Sequence, residues 1–203
     1  KEEVDQVVDY IQFMRQQTDR RIRQMLKSRV LEAHALATHI HETYKGRMDQ
    51  AAIRELVRES LRPLRFNDGR GYFFAVGMDG VSHLSTDYPE VEGTSILDLK
   101  SVSGAPVVRD AIAMLREHGD GFITYQWTRP DAPRGNHEKL SYLKYFAPFD
   151  WAIGAGEYVE NVKGDLQEET LEWIERIRYG DNYYIFAGQW DGLSLSGPAK
   201  NQN

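Results

Sequence analysis

The chain has 203 residues, 41% of them hydrophobic and 28% charged, with a net charge of −6 at pH 7. This content supports a packed core and argues against wholesale disorder, and the acidic balance argues against a general nucleic-acid binder. With no cysteine present, disulfides, thiol catalysis and cysteine-held metals are excluded.

Residues 1 to about 45 read as one long helix. Val4, Val7, Val8, Ile11, Met14, Ile22, Met25, Leu26, Ala33, Leu36, Ala37 and Ile40 recur close to a 3.6 period, and no proline or glycine interrupts before Gly46. At about 1.5 Å per residue such a helix is roughly 65 Å long, so its first half is expected to pack on something other than the first sheet. Arg15, Arg20, Arg21 and Arg23 are interspersed with acidic residues and read as a solvated face. No signal peptide and no apolar run of about 18 residues appears. Any membrane anchor is therefore expected outside this chain, and the start, KEEVDQ, reads as that of an excised fragment.

A second helix is expected from about Asp49, its N-cap, to Leu61, ended with the help of Pro63. "GYFFAVGMDGVSHLS" holds two short strand-like runs around the turn signal Asp79-Gly80. "TDYPEVEGTSILDL" reads as a loop, and "GAPVVRDAIAMLREHG" as an amphipathic helix with Pro106 near its start and Gly119 at its end. "GFITYQW" is a strand, "TRPDAPRGNHE" a polar turn, and "KLSYLKYFAPFDWAIGAGEY" two more strands. The order predicts an α+β fold: a long N-terminal helix and an antiparallel sheet with helices packed on one face.

An internal repeat follows. Advancing by 112 positions carries Tyr72 to Tyr184, Phe74 to Phe186, Ala75 to Ala187, Asp79 to Asp191, Gly80 to Gly192 and Ser82 to Ser194. Residues from about Gly164 are thus expected to form a helix and then the opening hairpin of a second, incomplete copy.

Catalytic chemistry is hard to assemble. No Gly-x-Ser-x-Gly elbow is present, and His34, His39 and His41 are spaced so that they do not share one helical face. Gly154-Ala155-Gly156 sits inside a strand and lacks the third glycine of a dinucleotide fingerprint, so it reads as room for close approach. The strands say more. Alternation places Tyr142, Lys144 and Phe146 on one face, with Ser141, Leu143 and Tyr145 on the other. Ile123, Tyr125 and Trp127 share a face of their strand, as do Tyr72, Phe74 and Val76 of theirs. An aromatic face with one ammonium and several phenols suits a small anion. The alternative for Lys144 is a solvated sheet face or a protected sheet edge.

"GYFFAVGMDG…PEVEG", "GFITYQW" and "KLSYLKYFAPFDWAIGAGEYVENV", in that order, resemble the Cache domain of bacterial sensor proteins, of the single Cache 2 type, over about Gly71 to Val162. The resemblance implies an extracytoplasmic sensory domain with a PAS-like sheet, belonging to a chemoreceptor, histidine kinase or cyclic-dinucleotide enzyme of the inner membrane. It implies no catalysis of its own, no cofactor and no metal, and a ligand among small carboxylates such as acetate, propionate, pyruvate or lactate. The expected division is a helix at 1–45, a ligand-binding domain at 46–163 and a truncated second repeat at 164–203, with a homodimer possible through the long helix. The expected site has Lys144 anchoring a carboxylate and Tyr142 donating a hydroxyl. Tyr125, Trp127, Tyr72 and Phe74 form its walls, and Ser85 stands near the rim. The family's His-Pro pair after the Asp-Gly turn is replaced here by Ser85-Thr86. His83, two residues before Ser85, is then expected on the same face as a partial substitute. Two other classes stay open: a PAS-like module holding haem or flavin, with His118 or His137 as axial ligand, and a ligand-free structural spacer.

Overall fold

The computed structural model describes residues 2–101, 104–129 and 132–176, together with 178–179, 183–184, 187–188 and 194–196 of the tail. Helix α1 runs without a break from Glu2 to Tyr44, and α2 from Gln50 to Leu61. Asp49 caps α2 as its residue type predicts: its carboxylate accepts the Ala52 N–H at 2.7 Å. Strands β1 (Arg65–Phe66), β2 (Gly71–Gly77) and β3 (Ser82–Ser85) follow. The β2–β3 turn places Gly80 at φ +85°, where a glycine costs least. Helix α3 (Val107–His118) ends at Gly119, whose φ of 78° closes it in the left-handed region. Strands β4 (Asp120–Arg129), β5 (Ala132–Phe146) and β6 (Trp151–Tyr158) complete the sheet, and β6 runs directly into α4 (Val159–Arg176).

The sheet is antiparallel, in the order β1-β2-β6-β5-β4, with β3 also paired to β2. Most of the expected polar turn at 128–138 is strand. Trp127 faces His137 and Arg129 faces Ala132 across an irregular ladder, because the pairing uses backbone groups that polar residues also carry.

The chain divides into two compact units, Arg21–Val159 and a second made of Lys1–Arg20 with Glu160–Asn203. In the first, the two sheet faces are covered differently. One face meets α1 and α2: Leu26, Val30, Ala33, Ala37, Ile53 and Val57 pack on Phe73, Tyr142, Phe146, Trp151, Ile153 and Ala155. The other face meets α3, through Val108, Ala111, Ile112 and Leu115 against Leu143 and Ala152. Within the second unit Tyr10 stacks on Trp173 at 4.0 Å, and Met14, Leu166 and Ile174 are buried.

The described residues of the tail form two short antiparallel strand pairs. Strands β9 (Ala187–Gly188) and β10 (Ser194–Ser196) pair Ser194 with Gly188 and Ser196 with Ala187. These are the β2–β3 pairs Ser82 with Val76 and Leu84 with Ala75, advanced by 112 positions. Strands β7 (Arg178–Tyr179) and β8 (Tyr183–Tyr184) pair as β1 and β2 do, with one residue fewer between them in the sequence.

Candidate functional site

The face of the sheet under α3 carries a cavity of about 310 Å³. Its floor is set by parity. On β5, Lys139, Ser141 and Leu143 point to this face. Their partners on β6 are Tyr158, Gly156 and Gly154, and Gly156 and Gly154 in turn pair with Tyr72 and Phe74 of β2. The glycines leave room for side chains to cross the strand. A Cβ on Gly154 would stand 2.5 Å from the Phe74 ring. One on Gly156 would overlap the Ser141 hydroxyl and stand 2.7 Å from Lys139 Cε. Residue 156 therefore lets the Lys139 stem lie across β6 toward β2.

There the Lys139 ammonium donates to the Tyr72 hydroxyl at 2.6 Å and lies over the Tyr72, Tyr158 and Phe74 rings at 4.2, 5.0 and 5.8 Å. Lys139 is 1% exposed. Burial pulls its pKa down to about 7, against a smaller upward pull from the Asp87 and Glu157 carboxylates. Both carboxylates are engaged elsewhere: Asp87 pairs with Arg65 at 2.7 Å, and Glu157 accepts from the Asn67 amide and from the Tyr158 N–H. The phenols around the ammonium are held neutral. Burial raises the pKa of Tyr72 and Tyr158 well above the usual range and that of Tyr125 to about 12. Tyr125 and Ser141 share a hydrogen bond of 3.0 Å. The Tyr88 hydroxyl, also on the cavity wall, is buried without a hydrogen-bond partner among the described residues. A buried ammonium, several phenols and an open hydroxyl are groups that can hydrogen-bond one compact anionic group.

The sequence model of the Cache domain family matches residues 1–203. The chain is a Cache domain. It is 24% identical over 127 residues to the methyl-accepting chemotaxis protein McpP of Pseudomonas putida, and 28% identical over 118 residues to the sensor histidine kinase MctS of Rhizobium johnstonii. Those alignments take 63% and 58% of this chain but 23% and 25% of the relatives, so the Cache domain spans about a quarter of their length. A solved structure described as the basis for carboxylic acid recognition by a Cache chemosensory domain superposes with a TM-score of 0.66 at 25% identity, over 71% of this chain and 97% of that one. The chemotaxis protein of Vibrio parahaemolyticus gives 0.62 at 27% identity, over 77% and 99%. The fold is the PAS-like α+β arrangement that the sequence implied, except that helices cover both faces of the sheet instead of one, α1 and α2 on one and α3 on the other.

Of the site residues expected from sequence, the Cache domain brings Tyr72, Phe74, Ser85, Tyr125 and Trp127 to the cavity wall. Lys144 and Tyr142 are not there. They lie on the opposite face, where Tyr142 packs in the α1 core beside Phe122 and Lys144 reaches Asp120, its partner across the β4–β5 ladder, at 3.3 Å. Alternation holds as expected, but the face of β5 that meets the cavity is the one carrying Lys139, Ser141 and Leu143. His83 also departs from expectation. It is the extra residue of a bulge, between Ser82 opposite Val76 and Leu84 opposite Ala75. Its ring stacks on Trp151 at 4.8 Å instead of lining the cavity. His118 is 60% exposed at the end of α3, and His137 sits edge-on to Tyr158. Among the described residues no group of three or more His, Asp or Glu is placed to hold a metal, and no helix is long and apolar enough to cross a membrane.

Because the Lys144–Asp120 pair is partly exposed, Lys144→Met should change stability by no more than about 1 kcal/mol and leave ligand affinity within twofold of the parent. Thermal melts and calorimetric titrations of both proteins check this. A tenfold loss of affinity would return Lys144 to the site.

Proposed function

We propose that this Cache domain is the extracytoplasmic sensory part of a bacterial transmembrane signalling receptor that binds a small organic carboxylate at Lys139. The observation that carries the reading is the Lys139 ammonium, buried on a cavity wall with a phenol as its hydrogen-bond partner. A ligand carboxylate supplies the missing charge, and the Tyr72 and Tyr88 hydroxyls and Ser85 stand where they can orient it. The structure described for carboxylic acid recognition supports the same ligand chemistry. Tyr158, the last residue of β6, pairs with Lys139, so movement of the anchoring strand is passed into α4 as a shift between populations. The register of the β9–β10 pair supports reading the tail as the opening of a second Cache repeat, α1 is the surface through which two copies would pair, and the output module belongs to the rest of the receptor.

A thermal-shift screen against organic acids tests the reading. An acid present at 100 times its dissociation constant should add about 2.7 kcal/mol of apparent stability. If no acid raises the melting temperature and amino acids or sugars do, the carboxylate reading fails.

The pH dependence has a definite sign. The ammonium is the binding form, and its pKa in the unliganded domain is about 7. Carboxylate affinity should therefore be level below that pH and fall about tenfold for each unit above it. Titration calorimetry from pH 6 to 9 reads this directly, and a flat profile would assign the anion to another group.

A further inference from the structure

The carboxylate anchor occupies one end of the cavity, and the rest has a different chemistry. Lys139 and Leu143 stand four positions apart on β5, roughly 13 Å of strand. Between them the wall changes from phenols and a cation to hydrocarbon. Opposite Leu143 stand Val76 and Ala152 from the sheet and Val108, Ala111 and Ile112 from α3. Polar groups at this end are few. Ser82 contributes a hydroxyl to the wall, Ser101 uses its own to accept the Ala105 N–H, and Lys100 stands exposed at the rim. A carboxylate seated on Lys139 with only one or two further carbons would leave this apolar wall untouched. By comparison, a cavity of about 150 Å³ lined by Leu, Ile and Phe accepts benzene, and this one measures about 310 Å³.

Resting on the carboxylate reading above, we infer that the ligand is a monocarboxylate with an apolar tail of about five to eight carbons, straight, branched or aromatic, in place of a two- or three-carbon acid. The head group sits at Lys139 and Tyr72, and the tail lies along Leu143 beneath α3. Such a ligand joins the sheet to α3 through one molecule. A two-carbon acid reaches only the sheet.

Calorimetry on the chain with acetate, butyrate, hexanoate, octanoate, phenylacetate and succinate tests this. Affinity should rise about fourfold for each methylene from acetate to hexanoate, the equivalent of about 0.8 kcal/mol per buried CH₂. Succinate should bind more weakly than butyrate. Ala111→Leu places a larger side chain on the tail wall while keeping a good helix former, and should move the optimum at least two carbons shorter. Leu99→Trp, at a cavity residue that is 40% exposed, serves the same purpose if the first variant folds poorly. An affinity that is flat or falling with chain length, a preference for succinate, or an optimum unmoved by both variants overturns the tail inference while the carboxylate reading stands. Failure of every acid overturns both.

Discussion

Lys139→Met should abolish carboxylate binding and at the same time stabilise the unliganded domain. The two effects share a cause. The folded domain holds an ammonium almost fully out of water, against phenol rings and with no carboxylate partner among the described residues, and its pKa falls from 10.5 to about 7 as a result. Between those values the unfolded chain carries more protons than the folded one. The stability of the unliganded parent therefore rises with pH across about 7 to 10.5, and is lowest below 7, where the buried group is charged. Methionine keeps the stem and removes the charge, so at pH 6 the Lys139→Met variant should melt several degrees above the parent, and its stability should lose the pH dependence due to this group. A ligand carboxylate entering the variant would be buried without its counter-charge, which costs about 3–5 kcal/mol, a loss of about 150- to 5,000-fold in affinity. Melting curves from pH 6 to 9 and calorimetry with the best acid measure both effects. A variant that melts below the parent at pH 6, or that binds as tightly, would show that Lys139 is a structural lysine.

Gly156→Val should remove ligand binding by displacing that lysine without touching its charge. A side chain at 156 overlaps the Ser141 hydroxyl, stands 2.7 Å from Lys139 Cε and 3.0 Å from the Leu140 carbonyl oxygen. The first two neighbours can swing aside, but the third is backbone in the centre of the sheet. Overpacking of this kind costs about 1–3 kcal/mol. The lysine that swings aside no longer reaches Tyr72, so the anchor is lost even where the fold survives. Loss of binding with a modest drop in melting temperature is the expected result. A Gly156→Val domain that binds the acid at parental affinity would mean that the stem does not need to cross β6.

The two glycines also show how much of the cavity was legible in the sequence and why its face of β5 was not. Helix α1, the caps of α2 and α3 and the β2–β3 hairpin follow from periodicity, Asp49, Gly119 and Asp79-Gly80, all signals contained in a few consecutive residues. The aromatic walls were found because Tyr72 with Phe74, and Tyr125 with Trp127, occur in pairs on single strands. Lys139 was missed because it stands at the end of a polar run, Arg134 to Glu138, that reads as a turn. Lys144, framed by Tyr142 and Phe146, looked more enclosed. Local sequence gives alternation but not which face carries the cavity. The needed signal lies on the neighbouring strand, since Gly154 and Gly156 share one parity and large side chains can cross β6 only on that face. Pairing them with Leu143 and Ser141 places Lys139, and not Lys144, on the cavity face. The bulge at His83 carries no comparable mark in the sequence.

Strand β6 ends at Tyr158, opposite Lys139, and α4 begins at the next residue. Under the proposed function, recognition and transmission share one peptide unit, with no hinge or linker between them. A receptor built this way cannot tune its threshold and its gain separately. A substitution that tightens the grip on the acid at this pair also resets how far β6 moves when the acid arrives. Changes of ligand preference are then most easily accumulated at the far end of the cavity, under α3, where a side chain can be exchanged without altering the strength of the message.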